Sequence, residues 1–161
     1  VQQLSIFLMS HYPKKLANII SLFESLSELE RRETLIAYAD QSKNYFPKEG
    51  EVFDFEDVRK DEECTDSVGI YLKMDENQRY YFKIQLGPHV QTLTRAMSSI
   101  LCKGLNGITS EELQSIPQDF VPKIVGAELI RARSQTVYYL LTRLKTASKV
   151  WEKRLLRHAT Q

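Results

Sequence analysis

Two stretches of strict alternation constrain this chain most. Val68, Ile70 and Leu72 alternate with Gly69, Tyr71 and Lys73, and Tyr80, Phe82, Ile84 and Leu86 alternate with Tyr81, Lys83 and Gln85. Successive side chains of a strand point to opposite faces, so the pattern describes two strands, each with one apolar face. Asp75-Glu76-Asn77 between them is turn chemistry, and the pair reads as an antiparallel hairpin. A lone hairpin is marginal in water, so flanking segments have to cover its apolar face.

The flanking segments are helical in pattern. After Pro13, which suits a helix start, Leu16, Ile19, Ile20, Phe23 and Leu26 recur at helical spacing. Ser27 with Glu30 three residues on forms a capping box that opens a second helix, whose apolar face is Leu35, Ile36 and Ala39. It ends before Pro47, with Gly50 closing the turn. Residues 51–67 are polar and acidic, anchored by Val52, Phe53, Phe55 and Val58, and read as a long excursion ending in a loop. A third strand is drawn from the 51–58 stretch. Gly87-Pro88 ends the hairpin, and His89 beside it reads as a turn residue.

Leu93, Met97, Ile100 and Leu101 mark a third helix that Asn106-Gly107 ends. Thr109 and Glu112 form a second capping box, and Pro117 and Pro122 bracket a short segment. A final helix carries Val137, Leu140, Leu141, Leu144 and Val150 into a basic end, where cations suit a helix C-terminus. Helices, hairpin, helices is the order of an α+β domain, with helices packed on one face of a small antiparallel sheet of about three strands. At 161 residues and 42% hydrophobic, residues 1–161 form one domain with a core of its own.

Charge excludes some partners. Lys and Arg total 22 against 21 Asp and Glu, a net charge of +1 that calls for neither nucleic acid nor an anionic membrane. No apolar run is long enough to span a bilayer, and Leu4 to Met9 is short and lacks the flanks of a signal peptide. The two cysteines, Cys64 and Cys102, make neither a disulfide framework nor a zinc site, and a reducing compartment is the simpler expectation. His11, His89 and His158 are scattered and form no ligand cluster, so no metal is expected. Cys102, beside Ile100 and Leu101 on an apolar helix face, reads as core. Cys64 follows a polar stretch and precedes a strand, which suits an exposed, movable thiol.

Five short motifs, in order, resemble the SufE family of sulfur acceptors. They are Pro13-Lys14-Lys15-Leu16 through Phe23; Glu30-Arg31-Arg32 with Ala37-Tyr38; Cys64-Thr65-Asp66-Ser67-Val68 directly before the hairpin; Leu105-Asn106-Gly107-Ile108-Thr109 with Glu111-Glu112-Leu113; and Ala132-Arg133-Ser134-Gln135 at the start of the last helix. The resemblance covers about residues 13–147, leaving 1–12 and 148–161 as extensions. Three places depart from the family pattern. Glu62-Glu63 replaces a Gly-ending pair before the cysteine, Gly69 stands where an aromatic follows the motif's Val, and Gly87-Pro88-His89 occupies the slots of an Asp-Ser-Asp.

The resemblance implies a sulfurtransferase accessory protein. Cys64 would take sulfur from the persulfide of a cysteine desulfurase and pass it toward iron–sulfur scaffold proteins. Arg133 would assist, and Glu63, Thr65, Asp66 and Ser67 would form the loop that meets the partner. No cofactor is expected on this chain, since the desulfurase would carry its own pyridoxal phosphate. The implied location is the cytoplasm or, alternatively, a plastid stroma. Electrostatics pull the other way: Asp61, Glu62, Glu63 and Asp66 lie within three residues of Cys64, and nearby negative charge disfavours a thiolate. The alternative is therefore a SufE-fold adaptor that binds a partner and moves no sulfur.

Overall fold

A computed structural model gives the fold; it describes residues 12–61 and 66–160, with backbone alone at 61, 128 and 130–137. Among these residues, six helices and a four-stranded antiparallel sheet make an α+β architecture. Helices α1 (Lys14–Ser25) and α2 (Glu28–Asp40) come first. Strands β1 (Phe55–Asp61), β2 (Asp66–Met74) and β3 (Arg79–Leu86) follow, then α3 (Thr92–Gly104) and the two-residue β4 (Ile108–Thr109). Short helices α4 (Ser110–Ser115) and α5 (Val121–Val125) lead into α6 (Ala127–Ala159), 33 residues long.

The alternating residues do what their period requires. Val68, Ile70 and Leu72 on β2 lie level with Leu86, Ile84 and Phe82 on β3, and all six are buried. Helix α6 covers this face over β1 and β2, and α3 covers it over β3. Helices α1 and α2 pack on α3, contributing Leu16, Ile19, Ile20 and Phe23 from one and Leu35, Tyr38 and Ala39 from the other. Each of these large apolar side chains gains about 1.5–3 kcal/mol from leaving water. Ser27 caps α2 as expected: its Oγ accepts from the Glu30 N–H, and its own N–H donates to Glu30. Thr109 caps α4 through the Glu112 N–H.

Several expectations need correction. The third strand runs over Phe55–Asp61 rather than 51–58, and only Phe55 of the four proposed anchors is buried, while Val52 and Val58 are exposed. Asp66 and Ser67 are not loop residues; they open β2, opposite Asp61 and Lys60 of β1. The sheet has a fourth strand, because Ile108 and Thr109 pair with Tyr80 and Arg79. Ile36 of α2 faces solvent, and Tyr38 takes its place in the core. The last helix begins at Ala127, so Ala132–Gln135 lies inside it rather than at its start, and most of the proposed C-terminal extension continues the same helix to Ala159. No described helix is long and apolar enough to cross a membrane.

Candidate functional site

The hairpin of β1 and β2 closes in register on Asp61 and Asp66, so Cys64 belongs to the four-residue connection between them. Glu62, Glu63, Cys64 and Thr65 lie outside the described residues. The frame on either side of them is set by Asp66 and its partners.

Asp66 is the key to that frame. Its carboxylate accepts from the Ser67 N–H at 2.7 Å and from the His89 N–H at 2.7 Å. These backbone donors, His89 first and Ser67 second, hold its pKa below the ordinary aspartate value, and the group is ionised at neutral pH. The carboxylate sits flat against Gly87, where a Cβ would come within 2.2 Å of it. Only glycine admits this approach. Arg95 also holds the turn, donating to the carbonyl oxygens of Gly87 and Val90 at 2.8 and 2.9 Å. The Gly87-Pro88-His89 departure is thus the receptor for the Asp66 carboxylate.

The Gly69 departure also has a structural reason. A Cβ there would lie 2.8 Å from the Tyr71 ring and 3.2 Å from Val58. Tyr71, two residues along the same face, folds its ring over the space that an aromatic at 69 would occupy.

Arg143 fixes the sheet to α6. It is only 2% exposed. Its Nη2 donates to the Asp57 carbonyl at 2.9 Å, the Asp57 carboxylate at 3.2 Å and the Val68 carbonyl at 3.1 Å, while Nη1 donates to the Tyr139 hydroxyl at 3.2 Å. Sequence reading passed over this residue. Further along α6, the Arg154 guanidinium stacks 4.9 Å over the Phe55 ring, and Phe55 pairs with Leu72. From Arg143 to Arg154 the helix therefore advances away from the Asp61–Asp66 end. Its preceding turns run toward that end. Arg133 lies on those turns, ten residues before Arg143, which is about 15 Å of helix axis. The Arg133 side chain is outside the described ones.

The other cysteine, Cys102, lies on α3. Cys102 is free and only 4% exposed in the core. Burial pushes its thiol pKa up from 9.0 to about 12, against smaller opposing effects of the Ile84 backbone and Lys83. It stays protonated and unreactive at neutral pH.

A family model described as SufE, Fe-S metabolism associated domain, matches residues 17–148. The chain belongs to the SufE family. Its role accordingly lies in Fe–S metabolism. Two solved structures are similar to this chain in fold. One is the solution structure of a hypothetical protein from Thermus thermophilus, with a TM-score of 0.68 and 20% identity over 88% of this chain and 98% of that one. The other is the crystal structure of the N-terminal part of a nitrogen-fixing NifU-like protein from Brucella abortus, with a TM-score of 0.60 and 15% identity over 79% of this chain and 99% of that one. Among curated proteins none matches the chain in sequence.

Proposed function

We propose that this SufE-family protein accepts sulfur on Cys64 from the persulfide of a cysteine desulfurase and hands it on to iron–sulfur scaffold proteins. The contrast between its two cysteines carries this reading. One thiol is buried, 4% exposed, with a pKa of about 12, which leaves Cys64 as the thiol available for chemistry. In the step itself, the Cys64 thiolate attacks the outer sulfur of the donor persulfide. A new S–S bond forms on Cys64, the donor S–S bond breaks, and its electron pair leaves with the donor cysteine as thiolate. No external oxidant or reductant enters, and the next acceptor thiolate repeats the exchange.

A loaded thiol must reach its donor, yet its surroundings must not drift. The Asp66–His89 and Gly87–Arg95 bonds meet that need by holding the hairpin end while the connection bearing Cys64 is presented. The direction of α6 supports Arg133 as the cation that offsets the acidic flank and favours the thiolate. Glu63 and Thr65 complete the contact with the desulfurase, while Asp66 and Ser67 serve as its anchored base. Incubation with a desulfurase and cysteine, followed by intact-protein and peptide mass spectrometry, should add sulfur at Cys64. The adduct should persist in Cys102→Ser and vanish in Cys64→Ser. An adduct missing from the wild-type protein while the desulfurase itself is loaded would defeat the proposal. Arg133→Ala should slow acceptance with no change in melting temperature, and unchanged transfer would remove Arg133 from the site.

One observation favours the adaptor reading. The Asp66 carboxylate, ionised and fixed two residues from Cys64, opposes thiolate formation. If Cys64→Ser leaves both desulfurase binding and stimulation intact, the protein is an adaptor.

A further inference from the structure

A hollow of about 840 Å³ opens beside β3, toward the Lys73 end of β2. Lys73, which lines it, is seven residues along β2 from Asp66, about 23 Å at strand rise. Its walls carry four lysines, each from a different element: Lys15 of α1, Lys73 of β2, Lys83 of β3 and Lys103 of α3. Glu51 is the single carboxylate among the described lining residues. It bridges two of the four, with Lys73 Nζ at 2.7 Å and Lys83 Nζ at 2.7 Å. Neither Lys15 nor Lys103 has a carboxylate partner among the described residues.

Four ammonium groups around one carboxylate leave the hollow strongly positive, and concave walls concentrate that field. The cations are also held in place by rings. Lys103 lies 5.8 Å over Tyr38 and Lys73 lies 5.0 Å over Phe53, and both rings line the same hollow. Lysine is a point-charge binder of phosphate, and ring faces accept a flat partner. The volume lies within the range of small-molecule sites, about 300–1,000 Å³, and exceeds the needs of an inorganic anion.

We propose that this hollow binds a small phosphorylated molecule with a flat ring, of the nucleoside monophosphate class, its phosphate among the lysines and its ring against the half-buried Phe53. Glu51 then acts as a resident anion that keeps Lys73 and Lys83 positioned and competes with the incoming phosphate.

The test is an NMR titration of the ¹⁵N-labelled full chain with AMP, adenosine and inorganic phosphate. AMP should shift the amides of Lys73, Lys83, Cys102 and Lys103 saturably, and at least about tenfold more tightly than phosphate or adenosine alone, since both halves of the site contribute. The double variant Lys15→Ala/Lys103→Ala should weaken AMP by about tenfold, because two exposed ammonium groups are lost. Glu51→Gln keeps an acceptor for the Lys48 N–H, removes the competing charge, and should tighten AMP several-fold. Spectra of both variants without ligand serve as the folding control. Absence of saturable AMP binding overturns the proposal. So does binding equal to that of phosphate, binding indifferent to the double variant, or weaker binding by a folded Glu51→Gln protein.

Discussion

The two ends of β2 are built on opposite plans. At the Asp66 end, one carboxylate docks on backbone N–H groups and a long helix is pinned by one buried arginine. The connection that joins Asp61 to Asp66 at this end carries Cys64. At the Lys73 end, side chains dominate: lysines, a bridging Glu51, and rings from three segments surround a wide hollow. The lesson is that backbone N–H groups can fix a carboxylate at one end of a small sheet, while the other end relies on charged side chains held by one another.

The largest expected effect concerns the two thiols. Iodoacetamide should alkylate Cys64 in the native protein at least about 10³-fold faster than Cys102, since a buried thiol with so high a pKa exposes almost no thiolate. Peptide mass spectrometry over a time course reads the ratio. Comparable rates would erase the contrast on which the sulfur-carrier reading rests.

Arg143 and Arg154 sharpen the comparison next. Both extend from α6 onto the sheet, one bridging Asp57 and Val68 and one over Phe55. Arg143→Ala strips donors from two carbonyls and from the partly exposed Asp57 carboxylate, and should cost about 3 kcal/mol. Arg154→Ala removes an exposed stacked cation and should cost about 0.5–1 kcal/mol. Denaturant melts of the two variants give the difference. Equal losses would mean that the buried guanidinium is not what holds helix and sheet together.

Gly87 offers a finer break. A methyl group there overlaps the Asp66 carboxylate, and overpacking of this kind costs about 1–3 kcal/mol. Gly87→Ala should therefore destabilise the wild type, and the loss should shrink when Asp66 is already alanine. Additive losses in the double variant would show that the clash is elsewhere.

These residues also mark where sequence reading stopped. The β2–β3 hairpin was legible because Val68, Ile70 and Leu72 alternate without exception and face a buried partner strand. Both caps were legible because Ser27 with Glu30 and Thr109 with Glu112 are local pairs. Strand β1 was half hidden, because Phe55 is the one buried side chain among its described ones and Asp57 is answered by an arginine 86 residues away. The start of α6 was misplaced because its apolar stripe becomes clear only near Leu140. At the candidate site, the motif pointed to Cys64, which lies outside the described residues. The Asp66 anchor was not legible, since its partners are a glycine and two N–H groups, and backbone donors leave no letter in a sequence.

The smallest effect tests both ends at once through their carboxylates. Glu51 accepts from the Lys48 N–H at 3.0 Å as well as from the two lysines, and these bonds, the backbone one first, lower its pKa from 4.5 to about 2. A depressed carboxyl stabilises the fold above its unfolded value, and that contribution is lost as pH falls through the folded value. The Glu51 contribution is therefore complete above about pH 5 and disappears between 4.5 and 2. Asp66 follows the same sign, its contribution failing as pH drops below the ordinary aspartate range of about 3.9. In an NMR pH titration the Lys48 amide should move with a midpoint near 2, and the Ser67 and His89 amides with midpoints below that of a free aspartate. If the His89 amide titrates at the ordinary value, Asp66 does not hold the turn, and the end bearing Cys64 loses its anchor. If only the Lys48 amide does so, the hollow loses its resident anion while the Cys64 end stands unchanged.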